Sequence, residues 1–192
     1  AYQSGWLGLG EEAGEPQPRV GKSLVTDMPA DTDVKLLVVQ RPGQPTVRLT
    51  FEDGQWNLVE PIAADASASE VADILDALRG LKIENELAAD DERSPGDDVT
   101  GLGEPLAIVT ITAEVEQLRP FYRLMPAWVQ EELRSGEQKE RYVHTVTARR
   151  TVRIGRPVPL AGDQTYVRLD DLPVTFQVSG EPMSKLDFAV AD

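Results

Sequence analysis

Alternating apolar and polar residues predict β-strands in the first part of the chain, from about residue 33 onward. Three short apolar runs are separated by turn residues, and the pair Asp53-Gly54 stands between the second and the third. This pair is a strong hairpin signal, because a type I′ turn needs positive φ at both central positions. The sequence therefore predicts a three-stranded antiparallel meander, with apolar positions at Val34, Leu36, Val38, Val47, Leu49, Phe51, Trp56 and Leu58.

After residue 66 the apolar spacing changes to the three and four residues of a helix. Ser67 and Glu70 have the spacing of a capping box, in which each side chain satisfies a free amide at the helix start. Gly80 suits the end of the helix, and 81–87 is predicted to leave it as an extended segment. We predict an amphipathic helix that faces a sheet through one apolar stripe, formed by Val71, Ile74, Leu75 and Leu78.

A second group of strands follows the helix and completes the predicted fold. The fold class is α+β, with two antiparallel β-meanders separated by an amphipathic helix, and 33–190 is predicted to be a single domain. Residues 1–32 are interpreted as a linker or leader, because 8–19 combines glycine, proline and glutamate with little apolar area to bury. The strands of the second group are expected at about 106–115, 142–155, 165–169 and 174–178.

A helical insertion is predicted at about 116–141, between two strands that a short turn could have joined. Pro120 and Pro126 each suit the first turn of a helix and Gly136 suits a stop, so we expect two short helices bent at Pro126. The segment is densely apolar, and it either belongs to the core or docks onto a protein partner, since large aromatic residues and methionine are enriched at interfaces. The candidate docking residues are Phe121, Tyr122, Met125 and Trp128.

Composition excludes several classes of chemistry. The 192 residues include 19 Lys and Arg against 33 Asp and Glu, a formal net charge of −14, which disfavours binding to nucleic acid or to an anionic lipid surface. The chain has no cysteine, which excludes disulfides, zinc–thiolate sites and a cysteine nucleophile. His144 is the single histidine, and without a partner motif it is weak evidence for a general base.

Three polar motifs contain the residue types of ligand sites, but a structural role is favoured for each. The acidic loop at 90–98 lacks the spacing of a calcium loop, and Gly101-Leu102-Gly103 precedes a strand rather than the helix that a nucleotide loop requires. The arginines at 149–156 are interpreted as partners of nearby carboxylates, with an anionic ligand or partner as the alternative. We therefore predict no catalytic residue, no cofactor and no metal site, and we expect that the protein is not an enzyme.

Several short motifs resemble the bacterial family catalogued as domain of unknown function 4340, over roughly residues 33–190. The helical segment 116–141 departs from the family pattern, in which a short polar hairpin is expected. The motifs that carry the resemblance are the hairpin run 51–61 with its Asp53-Gly54 turn, Gly101-Leu102-Gly103-Glu104-Pro105, Val152-Arg153-Ile154-Gly155 and Tyr166-Val167-Arg168.

The resemblance implies an envelope protein whose domain lies outside the cytoplasm, behind a membrane anchor that precedes Ala1 in the full protein. It also implies an association with ABC-type transport systems, and it supplies no catalytic residues. The expected function is a non-catalytic interaction or accessory domain with a protein partner in the envelope. The alternative is a ligand-binding module for a small molecule or glycan, which a deep apolar pocket with convergent polar groups would favour.

Overall fold

The computed structural model describes residues 20–25, 28–88, 91, 94–136, 139–170, 172–180 and 182–186. Within these residues the strands are β1 Val34–Gln40, β2 Val47–Glu52, β3 Gln55–Glu60, β4 Ala64–Asp65, β5 Lys82–Ala88, β6 Ala107–Leu118, β7 Val143–Pro157, β8 Gln164–Leu169 and β9 Val174–Ser179. The helices are α1 Ala68–Arg79, α2 Asp97–Thr100, α3 Ala127–Ser135, α4 Lys139–Tyr142 and α5 Pro182–Lys185, with a 3₁₀ helix at Pro120–Leu124.

The strands form one nine-stranded sheet in the order β4-β3-β2-β1-β6-β7-β8-β9-β5. Every neighbouring pair is antiparallel, and β1 joins β6 through pairs such as Leu37 with Ile111. Helix α1 links β4 at one edge of the sheet to β5 at the other edge. The predicted α+β class is therefore confirmed, and the strands before and after α1 belong to one sheet.

The hairpin and the amphipathic helix form where the sequence predicts them. Asp53 and Gly54 have φ values of 52° and 82°, which are the positive values of a type I′ turn. The backbone N–H of Glu70 donates to Ser67 Oγ at 3.4 Å at the start of α1. The predicted stripe of α1, formed by Val71, Ile74, Leu75 and Leu78, is buried in the main core, and Trp56 lies in the same core.

The short segment 20–25 lies against β5 and belongs to the folded structure. Its backbone bonds to the edge of β5, with Ile83 N–H donating to Lys22 O at 2.9 Å. Leu24 and Val25 are buried in the main core. This segment falls within the predicted linker or leader at 1–32, and its backbone and two of its side chains pack on the folded sheet. The segment carries too few apolar residues to stand out in the sequence. The glycine-rich stretch 8–19 lies outside the described residues.

Strands β6 and β7 continue beyond their neighbours as a two-stranded arm. Their ladder runs from the pair Ala107 and Ile154 to the pair Leu118 and Val143, whereas β1 pairs with β6 only as far as Ala113. On the other side, β8 pairs with β7 only from Val152 onward. We call 114–148 the hairpin arm and 119–142, which closes it, the tip.

The tip is helical, as predicted, but it begins and ends later than the expected 116–141. Residues 116–118 continue β6, because Val115 and Leu118 keep pairing with Val146 and Val143 across the ladder. The 3₁₀ helix and α3 meet at Pro126, which precedes the first residue of α3, so the expected bend is confirmed. A third short helix, α4, was not predicted. No helix in the described ranges is long and apolar enough to span a membrane.

Candidate functional site

The tip exposes large apolar side chains to solvent. Phe121, Leu124 and Trp128 are 68%, 87% and 70% exposed, and Tyr122 and Met125 are half-buried. The 3₁₀ helix, α3 and α4 contain no buried residue among those described. We call these five residues the tip patch. The structure therefore does not place the four candidate docking residues in the core of the chain, which was one of the two interpretations left open.

The tip patch is held against the end of the arm by ring contacts. The Tyr122 ring packs edge-on against Phe121, with centroids 5.4 Å apart, and against Tyr142, with centroids 5.0 Å apart. Beneath the tip, Leu118 and Val143 form the last cross-strand pair and are buried although they lie outside the main core cluster. The tip therefore has a small apolar contact of its own and is an ordered structure.

Two polar side chains fix the turns of the tip. Arg123 Nε donates to the Leu118 carbonyl oxygen at 2.7 Å, and Arg123 Nη2 donates to Gln117 Oε1 at 2.8 Å. Gln130 Nε2 donates to the Met125 carbonyl oxygen at 2.8 Å across the bend at Pro126. These bonds satisfy carbonyl groups that the chain reversal leaves without strand or helix partners. These bonds therefore hold the backbone turns that carry the exposed rings, and an ordered backbone reduces the ordering cost of binding.

Leu124 is the one member of the tip patch that was not singled out from the sequence. It lies in the same apolar run as Phe121 and Met125, and it is the most exposed residue of the patch. The sequence pattern alone could not show that Leu124 is exposed, because a densely apolar run is equally typical of a buried core segment. The signal that could have found it is that two short helices cannot bury so many apolar residues on one face.

His144 does not form a catalytic arrangement in the described part of the chain. It is half-buried on β7 opposite Gln117, and its Nδ1 atom is buried without a hydrogen-bond partner there. A general base needs a group within hydrogen-bond reach that orients its ring. The arrangement gives no support to acid–base chemistry at this residue.

The acidic loop contributes an ion pair. Arg168 Nη2 and Nη1 donate to the two carboxylate oxygens of Asp97 at 2.6 and 3.1 Å, a bidentate contact. This hydrogen bonding holds the pKa of Asp97 below its ordinary value, against the opposing effect of partial burial. Among the described residues, no three His, Cys, Asp or Glu side chains lie close enough together to hold a metal ion. The loop residues Asp90 and Glu92 lie outside the described ranges, so the absence of a calcium site stays a prediction.

The Asp97 ion pair makes stability depend on pH at the acid end. Because the folded-state pKa is lowered, the stabilisation is complete above the ordinary value of 3.8 and is lost as pH falls through the lowered value. We expect Asp97→Asn to cost less than about 1 kcal/mol at neutral pH, since Asp97 is half exposed, and to cost nothing at about pH 2. The urea denaturation midpoints of Asp97→Asn and of the unchanged protein, measured from about pH 2 to neutral pH, give this cost at each pH. Asp98→Asn is the control, since Asp98 has no ion pair in the described structure. A cost for Asp97→Asn that stays constant with pH would contradict the assignment.

The arginines at 149–156 are only partly accounted for by carboxylates. Arg150 Nε lies 3.5 Å from Asp170 Oδ2, and Arg153 Nη1 donates to the Asp170 carbonyl oxygen at 2.7 Å. Arg156 Nη1 donates to the Asp98 carbonyl oxygen at 3.0 Å. Burial lowers the pKa of Arg150, and the charge of Asp170 opposes that effect. Arg149 is exposed and forms no ion pair within the described residues.

A cavity of about 340 Å³ bears on the alternative of a ligand-binding module. It is open to solvent and is of the smallest size typical of ligand sites. Its described lining mixes amide, phenol and apolar groups, from Asn85, Leu87, Pro95, Tyr166 and Gln177. This is not the deep apolar pocket that would favour the ligand-binding alternative over an interaction surface.

These features define an α+β protein built on one antiparallel sheet, with a helical tip on a long hairpin. The chain belongs to the family described as "Domain of unknown function (DUF4340)", whose model matches residues 56–192. The match begins in β3 and includes α1, the hairpin arm and the strands that follow it. Neither a curated protein nor a solved structure matches the chain. The family resemblance inferred from the sequence motifs is therefore confirmed.

Proposed function

We propose that this chain is a non-catalytic interaction domain of a membrane-anchored bacterial envelope protein, and that the tip patch binds a protein partner outside the cytoplasm. The observation that carries the proposal is the exposure of Phe121, Leu124 and Trp128 within eight residues of an ordered tip. Single exposed apolar residues are common on protein surfaces. Several exposed apolar residues close together in the sequence, with Trp and Phe among them, are typical of an interaction site.

Two carboxylates next to Trp128 on α3 support a protein partner. Glu131 and Glu132 follow it by three and four residues on α3, so both carboxylates lie on its side of the helix, and both are exposed. Carboxylates at this position oppose docking onto an anionic lipid surface. A protein surface with an apolar groove can take the rings and leave these charges at a solvated rim, as in typical interfaces.

The envelope location and the link to ABC-type transport rest on what the family resemblance implies. The high negative charge of the chain is consistent with both and requires neither. A component of such a transport system, or another anchored envelope protein, is the partner to test first. Fractionation of the native host, followed by detection of the full-length protein, tests the location. Recovery wholly in the soluble cytoplasm would contradict it.

Substitutions in the tip patch test the docking role. We expect Trp128→Ser to weaken partner binding by about 2 kcal/mol or more, which is about thirtyfold, with an unfolding free energy within about 1 kcal/mol of the unchanged protein. The same outcome is expected for Tyr122 and Met125 replaced singly by serine, with some loss of stability because both are half-buried. The measurement pairs urea denaturation with site-specific photo-cross-linking of the full-length protein in its host.

Ile62→Ser is the matched control for these substitutions. Ile62 is 60% exposed, but it lies between β3 and β4 at the edge of the sheet and away from the arm in sequence. It should leave both stability and the cross-linked product unchanged. Large destabilisation by Trp128→Ser, with the cross-linked product unchanged, would show that the patch has a packing role and would refute docking.

A further inference from the structure

One edge of the hairpin arm carries backbone groups that point away from the sheet. Thr151 N–H donates to Asp170 Oδ1 at 2.8 Å and Thr151 O accepts from Asp170 N–H at 2.7 Å, so both groups face away from β6. On the same strand, Ile154 O faces β6, since it accepts from Leu106 N–H. Backbone direction alternates along a strand, so the N–H and C=O of Thr145, Thr147 and Arg149 also face outward.

These outward groups lack strand partners. β8 pairs with β7 only from Val152 onward, which leaves Val143–Arg149 as an open edge. Within the described structure the backbone groups of Thr145 and Thr147 have no hydrogen-bond partner, and Arg149 O receives only a 3.4 Å contact from Arg150 Nη1. Strand residues rise about 3.3 Å each, so this edge is roughly 20 Å long and can accommodate a segment of about seven residues.

The opposite edge of the arm, along β6, has a backbone partner near each of its two ends. Glu114 N–H donates to the Asp33 carbonyl oxygen at 2.9 Å, so β6 is covered at the base of the arm. At the far end, Arg123 Nε donates to the Leu118 carbonyl oxygen at 2.7 Å. Two backbone groups on the β6 side are therefore occupied, whereas those of Thr145 and Thr147 on the β7 side have no partner in the described structure.

The open edge carries one exposed cation, Arg149, although the chain is acidic. Residues 141–162 contain five arginines and no carboxylate. The two glutamates of β6 that face the outer side of the arm are each paired with a lysine, Glu114 with Lys35 at 3.8 Å and Glu116 with Lys139 at 3.3 Å. Arg149 remains exposed beside the edge without an ion pair in the described residues. The edge therefore favours an acidic strand.

We propose that the outer edge of β7, from Val143 to Arg149, binds an acidic extended segment of a protein partner as an added antiparallel or parallel strand. The backbone groups of Thr145 and Thr147 supply the ladder bonds, as in other cases of β-strand addition. Arg149 selects for acidic side chains on the added strand. This site uses the backbone of β7 between Val143 and Arg149, outside the tip, so it is independent of the tip patch and either site can fail without the other.

A single backbone donor tests the proposal. Thr147 N–H points outward, so Thr147→Pro removes a donor from the open edge and no bond of the β6–β7 ladder, as proline on an edge strand allows. Thr147→Val is the matched control, because it changes the same side chain and keeps the N–H group. The probe is a capped, fluorescein-labelled peptide of about seven alternating valine and glutamate residues. Two control peptides are used. One has lysine in place of each glutamate, and the other has proline in place of the central residue.

Fluorescence anisotropy measures the affinity of each labelled peptide for the full chain and for its variants. We expect the glutamate peptide to bind at least about tenfold tighter than both control peptides, Thr147→Pro to weaken it about tenfold, and Thr147→Val to leave it within about threefold. Arg149→Glu should reverse the preference between glutamate and lysine peptides. Equal binding of the glutamate and central-proline peptides, or no binding of the glutamate peptide at about 1 mM, would overturn the proposal.

Amide hydrogen exchange keeps the proposal falsifiable if Thr147→Pro fails to fold. In the unchanged protein, the amides of Thr145 and Thr147 should exchange rapidly without peptide and become protected when the glutamate peptide is added. The amides of Val146 and Ala148 lie on the β6 side of the strand and should be protected in both conditions. Unchanged exchange at Thr145 and Thr147 in the presence of bound peptide would overturn strand addition.

Discussion

Replacing Leu75 by alanine is expected to lower the free energy of unfolding by about 2–5 kcal/mol. Leu75 is fully buried on α1, at the centre of the stripe that covers one face of the sheet. Truncation removes the buried methyl groups of Leu75 and leaves a cavity. The cavity persists because Val71 and Leu78 anchor α1 on either side of it, so the helix cannot move into the gap. Urea denaturation followed by circular dichroism measures the loss.

Asp73→Ala on the same helix is the control for Leu75→Ala. Asp73 is exposed and its carboxylate pairs with Lys185 at 3.2 Å, a surface contact worth less than about 1 kcal/mol. Both variants introduce alanine into α1, so their difference isolates burial from helix propensity. A loss below about 0.5 kcal/mol for Leu75→Ala, the size expected at an exposed position, would contradict the placement of α1 on the sheet.

Features set by neighbouring residues were predictable from the sequence. The Asp53-Gly54 hairpin depends on two positive φ angles, and the start of α1 depends on the side chain of Ser67, so both follow from local chemistry. The apolar spacing of α1 identified every residue that it buries in the core. In each case the determining contacts span only a few residues of the chain.

Features set by distant residues were not predictable. The pairing of β1 with β6 joins residues about 70 positions apart, and nothing in either strand specifies that partner. The backbone bonds of Ile83 with Gly21 and Lys22 are similar, because an edge strand accepts any extended segment that reaches it. Strand pairing uses backbone groups that every residue carries, so its partners depend on the packing of the whole sheet.

The candidate site shows the same division. The sequence predicted ordered helices at the tip but could not decide whether Phe121 and Trp128 were core or surface. That depends on where the arm places them relative to the rest of the sheet, and the structure leaves both exposed. The open edge of β7 could not be predicted either, because it results from β8 ending its pairing at Val152.

Replacing Gly155 by alanine is expected to cost about 3 kcal/mol or more, or to prevent folding. Gly155 lies in β7 where the end of α2 and the loop after it approach the strand, and a Cβ there would overlap the carbonyl oxygen of Thr100 at the end of α2. It would also lie 3.2 Å from the Tyr166 carbonyl oxygen and from Leu102 Cδ2. Two of the obstacles are backbone, so they cannot move aside without shifting the loop or β8. Two motifs that carried the family resemblance, Gly101–Pro105 and Val152–Gly155, therefore meet at this contact.

Gly103→Ala is the matched control, because it makes the same substitution in the loop that contacts Gly155. A Cβ at Gly103 would meet Asp97 Cβ at 3.6 Å, an ordinary van der Waals distance, so the variant should stay within about 1 kcal/mol of the unchanged protein. Thermal and urea denaturation of both variants measure their loss of stability. The difference between the two losses isolates the overlap of the new Cβ with neighbouring atoms from the general effect of replacing glycine in this region. An unfolding midpoint for Gly155→Ala equal to that of the unchanged protein would contradict the packing of this loop on β7. It would also contradict the burial of Thr100 and Leu102 by that contact.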